Sequence, residues 1–143
     1  MIADVMARLQ SKVPALNNRI YGAADFANLM RTNTLPKQTP SAYVLGLGLQ
    51  GGQSEAGAGF YTQLFDRAIA VVLTFKSYDA TADRILDDIE GLLDQVIAAI
   101  AGWGPNDEVG VFRLARGNLV TMKAGTVIYQ IDFNIKDQLR ITP

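Results

Sequence analysis

Neither cysteine nor histidine occurs anywhere in this chain of 143 residues. Without thiols there is no disulfide framework, no thiolate nucleophile and no cysteine-based metal site. Without imidazole the commonest general base and the commonest transition-metal ligand are missing, so triads and zinc centres that use histidine are excluded. No apolar run reaches the roughly 18 residues a membrane span needs, and Met1-Ile-Ala-Asp4 puts an acid where a signal peptide carries basic residues. The expectation is no membrane, no targeting segment and synthesis in the cytoplasm. A net charge of −1 supplies no general attraction to nucleic acid.

What is present is globular: 49% of residues are apolar and 19% charged, which argues against disorder over most of the chain. The length suits one folding unit over 1–143 with a single core. Ile2, Val5, Met6, Leu9 and Val13 recur at helical spacing, and Pro14 discourages continuation, which predicts a helix from Ile2 to about Lys12. Arg19 to Gly22 reads as a short extended segment, and Asp25 as the cap of a brief helix through Met30. Thr32 to Pro40 reads as a loop.

From Ser41 the period changes to two, with Tyr43, Leu45, Leu47 and Leu49 on one side of a strand. The glycine-rich run Gly51 to Gly59 has no periodicity and predicts a flexible loop, taken over about 50–62. A second long strand follows, with Ile69, Val71, Leu73 and Phe75 facing one way. Ala80 to Trp103 then carries apolar residues at 85, 86, 89, 92, 93, 96, 97, 100 and 103, the broad stripe of a core-facing helix. Ser77 or Asp79 is its expected cap, and Gly102, Gly104 and Pro105 its stop. Asn106 to Glu108 reads as a turn, Val109 to Arg116 as extended, Arg116 to Asn118 as a turn or bulge. Thr126 to Lys136 is a clear alternating strand, and Asp137 to Pro143 a tail. This order predicts an α+β fold: a mainly antiparallel β-sheet with a long amphipathic helix and an N-terminal helix packed on one face.

Motifs for chemistry fail on context. Gly46-Leu-Gly48-Leu-Gln-Gly51 matches G-x-G-x-x-G, but its glycines lead into a polar run and a strand, where a dinucleotide site needs a helix N-terminus. Asp83, Asp87, Glu90 and Asp94 share a helix face and in principle could hold a hard divalent cation, although carboxylates along a regular helix usually point into water. Tyr43, Phe75, Trp103, Tyr129 and Phe133 fit core packing better than a base-stacking platform. No cofactor, no catalytic residue and no sequence-specific nucleic-acid contact are expected.

Charge is segregated along the chain. Residues 1–76 hold seven basic and four acidic residues, 77–108 one and eight, and 109–143 five and two, so the segments carry +3, −7 and +3. Dipole matching and solubility account for this; so would acidic and basic surfaces meeting between copies in a head-to-tail ring. Candidate interface residues are accordingly Gly51, Gly52, Gln53, Ser54 and Glu55 in the loop, Arg67 on the second strand, Asp83, Asp87, Glu90 and Asp94 on the helix, and Arg113 and Arg116 beyond it.

Several short strings also carry a likeness: Val13-Pro-Ala-Leu16, Tyr21-Gly-Ala-Ala-Asp-Phe26, Ala42-Tyr-Val-Leu-Gly46 ahead of Gly51-Gly52, Gly102-Trp103, Tyr129-Gln-Ile-Asp-Phe133 and Asp137-Gln-Leu-Arg140. In order and spacing they resemble the tail terminator proteins of long-tailed bacteriophages over almost the whole chain. The resemblance implies a virion structural protein and not an enzyme: a homo-oligomeric, hexameric ring on the tail tube protein that ends polymerisation and faces the head-tail connector protein. It also implies a place at the head-proximal end of the tail, with assembly in the host cytoplasm; in relatives a flexible loop between the long strands can lie towards lumen or tube, and by position Gln50 to Thr62 would be that loop. A head-tail connector or neck protein is the nearest alternative. A small carboxylate-dependent metal-binding enzyme and a monomeric ligand-binding domain are alternatives of other classes.

Overall fold

The computed structural model describes residues 1–34, 36, 38–76, 82–105, 110–123 and 125–142. The expected caps Ser77 and Asp79, the helix start at Ala80 and the turn at Asn106 to Glu108 lie outside these residues.

Helical spacing at the N-terminus yields α1 (Ile2–Lys12), whose Val5 and Leu9 are fully buried. Pro14 opens a single 3-10 turn over Pro14–Leu16 that puts Leu16 into the core. After β1 (Ile20–Tyr21) comes α2 (Ala23–Thr32). This helix is longer than the sequence implied, and Gly22, not Asp25, is its N-cap; Asp25 sits in the first turn, where its charge suits the positive end of the dipole. There follow β2 (Ser41–Gly57), β3 (Phe60–Lys76), α3 (Ala82–Ile100), β4 (Arg113–Lys123) and β5 (Thr126–Ile141).

The five strands form one mixed sheet in the order β1-β2-β3-β5-β4. Only β1 and β2 run parallel; the other neighbours are antiparallel. The fold is α+β. On one face Val44, Ile69, Val71, Leu73, Ile131 and Phe133 meet Val5 and Leu9 of α1 and Leu92, Val96 and Ile100 of α3. Asp87, Glu90 and Asp94 of α3 stay exposed. The other face is covered too, at one end: Phe26 and Leu29 of α2 pack on Tyr43, Val72 and Ile128. Residues 41–44 and 69–74 are therefore buried without interruption, which hides the two-residue period there.

Helix α3 ends at Gly102, whose φ of +79° suits glycine. The chain then closes a small bridge: Gly102 N–H donates to the Phe112 carbonyl at 2.8 Å and Phe112 N–H to the Trp103 carbonyl at 2.8 Å. The Trp103 and Phe112 rings stack with centroids 6.0 Å apart, and the Arg8 guanidinium lies 5.2 Å from the Trp103 centroid.

Three expectations from the sequence are corrected. The flexible loop at about 50–62 is strand: β2 continues to Gly57 and β3 starts at Phe60, joined only by Ala58 and Gly59. From Gly46 to Phe60 every residue is exposed, so neither face imposes an apolar period, and the backbone ladder alone defines the strand. The supposed tail from Asp137 is also strand, since β5 pairs Asp137 with Phe65 and Ile141 with Tyr61. Of the turn or bulge expected at Arg116 to Asn118 there is no turn: the ladder slips between Leu114 and Arg116, and Gly117 sits opposite Ile131, where an added Cβ would come within 3.0 Å of the Tyr129 ring. Glycine there admits an aromatic neighbour.

Element lengths explain the shape. The 19 residues of α3 span roughly 28 Å at 1.5 Å per residue. The 17 residues of β3 span roughly 55 Å. Helices of that length cover about half of such a sheet, and the remainder projects as an arm built from β2, β3 and β5.

Candidate functional site

The arm carries the five loop residues named from the sequence. Gly51 pairs with Phe65, Ser54 with Gln63 and Glu55 with Thr62, while Gly52 and Gln53 fall at a register shift between Gly51 and Ser54. The Gln63 amide donates across to the Gly52 carbonyl at 3.3 Å. Gly59, with φ of +82°, supplies the left-handed residue of the tip. Apolar side chains stand in solvent along this arm: Leu47, Leu49, Phe60, Leu64, Leu139 and Ile141.

Arg67 lies at the root of the arm, opposite Leu49. Its Nε donates to Asp137 Oδ2 at 3.2 Å and its guanidinium sits 5.2 Å from the Phe65 ring centroid. Arg113 and Arg116 sit on β4, at the far edge of the sheet, with β3 and β5 between them and β2. Both have acidic partners in the chain itself. Arg116 Nε donates to Asp132 Oδ2 at 3.0 Å, with Gln130 Nε2 on the other carboxylate oxygen at 2.8 Å. Arg113 Nη2 is 3.7 Å from Asp66 Oδ1, an ion pair beyond good hydrogen-bond reach.

The structure thus does not gather the candidate residues into one spot. Glycines and Glu55 lie on the β2 edge, the arginines of β4 on the opposite edge, and Asp87, Glu90 and Asp94 on exposed positions of α3. Asp83 lies in the first turn of α3, where only the backbone is described. Among the described residues no group of three or more Asp, Glu, His or Cys is placed to hold a metal ion. No helix among them is long and apolar enough to cross a membrane.

Strand β4 was expected only in part, as an extended segment ending at Arg116, and runs on to Lys123. All of Arg113 to Met122 is exposed, including Leu114, Leu119, Val120 and Met122 at 42 to 56%. Apolar residues at both odd and even positions are the signal that was available. Beside it, α2 and β4 enclose an apolar pocket of about 310 Å³ lined by Phe26, Leu29, Met30, Val120 and Ile128. A second, more open pocket of about 390 Å³ is lined by Tyr21, Asp25, Asn28 and Tyr43. Burial raises the pKa of the Tyr43 phenol above its ordinary value; a hydrogen bond with Ser41 opposes this, and the nearby Tyr21 and Asp25 add to the rise. The phenol is therefore protonated at neutral pH and is no base.

Among the described residues, then, the sheet leaves two strand edges largely unpaired, an arm projects from it and apolar rows stand in solvent. A family model for phage tail terminator protein matches residues 2–143. The chain belongs to the phage tail terminator protein family. As a member of it, this terminator is a structural protein of a phage-type virion. A chain of the virion of a native gene transfer agent particle is similar in fold, with a TM-score of 0.53 and 14% identity over 97% of this terminator and 95% of that chain. A comparison with curated protein sequences gives no match.

Proposed function

We propose that this terminator acts by assembly: copies of the chain, six by the family resemblance, form a ring on the last layer of the tail tube. The ring removes the surface on which a further tube layer would add, and its other side offers the head connector a platform. The reading is supported above all by the arm, in which β2, β3 and β5 run on beyond the helices with Leu47, Leu49, Phe60 and Leu64 in solvent. A stable monomer gains nothing from such rows, whereas a partner covering them gains apolar burial of about 25 cal/mol per Å².

On this reading the partners are the chain itself, the tube protein and the head-tail connector, and the place of action is the head-proximal end of the tail. The exposed acids Asp87, Glu90 and Asp94, with Asp83, belong to a contact surface. The deciding measurement is tail length in lysates of a phage lacking this protein. Tails of uncontrolled length are expected; tails of normal length left unjoined to heads would identify a neck component and overturn the reading.

A further inference from the structure

The sheet ends in two open edges. Apart from the short pairing of Ala42 and Tyr43 with β1, β2 has β3 alone beside it, and β4 has β5 alone, among the described residues. We propose that the outer edge of β4 in one copy pairs antiparallel with the outer edge of β2, residues 48–57, in the next copy, so that one sheet runs from subunit to subunit. This deepens the ring reading above and rests on it.

Strand direction supports the joint. Along β2-β3-β5-β4 each neighbour is antiparallel to the last, so β2 and β4 point opposite ways. Rotation about an axis lying along the strands preserves those directions in every copy. The β4 of one subunit therefore meets the β2 of the next antiparallel, and the alternation continues across the boundary.

Side-chain placement gives the register. Arg116 and Met122 are six residues apart on β4, and Leu49 and Glu55 are six apart on β2. Each interval contains one register shift, between Leu119 and Thr121 in β4 and between Gly51 and Ser54 in β2. Residues directly opposite in a ladder share a face. Through Asp132 and Ala70, and through Thr62, Arg116 and Glu55 are on the same face of the sheet; through Val127 and Phe75, and through Arg67, Met122 and Leu49 share the other. Laying the edges antiparallel with Arg116 against Glu55 brings Met122 to Leu49 and sets the two bulges in the same interval. A bulged edge repels a straight strand but accepts one bulged at the matching step, which makes the joint selective.

Charge agrees with this. Strand β4 contributes Arg113, Arg116 and Lys123 and no acid, while residues 48–57 contribute Glu55 and no base. The Arg116 side chain is 70% exposed despite its bond to Asp132, and a guanidinium has donors for a second carboxylate. A two-fold joint of β4 on β4 would instead set these arginines against one another and leave the β2 edge bare.

A chain without cysteine permits a direct test. Leu49→Cys and Met122→Cys are combined in one chain, the assembled protein is oxidised, and non-reducing gels are read beside native mass spectrometry. Opposed residues of an antiparallel pair have Cα atoms about 4.5–5.5 Å apart, within disulfide reach. A ladder of covalent oligomers from the double variant is expected, with none from either single variant. A register control, Leu49→Cys with Leu114→Cys, should give none, since Leu114 lies eight residues, or roughly 27 Å, from Met122. Independently, Glu55→Lys should weaken assembly about tenfold by turning attraction into repulsion. Oligomers that give no ladder, or that ignore Glu55→Lys, overturn the joint while the ring stands. A dimer band from Met122→Cys alone overturns it in favour of a two-fold contact. Wild-type protein that stays monomeric both at high concentration and with tail tubes overturns the ring reading and the joint with it.

Discussion

Arg116 and Asp132 form a lopsided pair: the carboxylate side chain is 8% exposed and the guanidinium that holds it is 70% exposed. The acid has left water and depends on Arg116 and Gln130 for its hydrogen bonds, whereas the base has hardly been desolvated. Removing the base therefore strands a largely buried charge. Arg116→Ala should cost about 1–2 kcal/mol. Arg67→Ala, whose partner Asp137 is 19% exposed, should cost about 0.5 kcal/mol from its ion pair. Urea unfolding of the two variants checks the order, and equal midpoints would contradict this account.

Gly59 sits at φ of +82° in the two-residue tip between β2 and β3. Gly59→Ala forces an L side chain into the left-handed region and should cost about 1 kcal/mol. The effect should be local. Amide exchange should quicken at 54–57 and 60–63, while Leu73 in the core keeps its protection.

Core and ridge of α3 should separate cleanly. Leu92 is 5% exposed and packs in the main core, so Leu92→Ala should cost about 2–5 kcal/mol. Asp94→Lys, on an exposed position, should change monomer stability by less than about 0.5 kcal/mol. If α3 meets another subunit or the tube, Asp87→Lys with Asp94→Lys should nevertheless change the salt dependence of ring formation. Indifference to both salt and charge reversal would remove α3 from the contact.

Tyr43 gives a pH signature. Its folded pKa is raised above its ordinary 10.0, chiefly by burial, so the phenol resists ionisation in the fold but ionises freely once unfolded. Its contribution is complete below pH 10 and is lost as pH rises through the folded value. Thermal melts between pH 9 and 11.5 should fall more steeply for wild type than for Tyr43→Phe. Parallel curves would refute the raised value.

How much of this could be read from residues alone follows from where water lies. Helix α1 was legible to its last residue because Val5 and Leu9 are buried on one side and Pro14 limits the end. The strand at Val127 to Ile135 was legible because Ile131, Phe133 and Ile135 enter the core while Asn134 and Lys136 do not. Residues 50–57 were not, because both faces are wet and a hydrogen-bonded ladder leaves no trace in side-chain hydropathy. α2 was seen too short, and its place across the sheet from α1 was invisible, since which face Tyr43 and Val72 present is settled by tertiary packing. The paired acids Asp66 and Asp132 could not be matched to Arg113 and Arg116 without the register of β4 on β5 and β5 on β3.

The uneven distribution of register shifts has a mechanical side. β3 and β5 pair without interruption from Tyr61 with Ile141 to Lys76 with Thr126, whereas β2 and β4 each break step twice. The inner pair is a continuous spar from tip to core, and the flanking strands are jointed. A push on the tip should therefore pass along unbroken pairing to the layer under α1 and α3, while sideways strain should be taken up at the joints. By this geometry a subunit should be stiffer along its length than across it, and in the proposed ring it would transmit load while adapting to its neighbour's curvature.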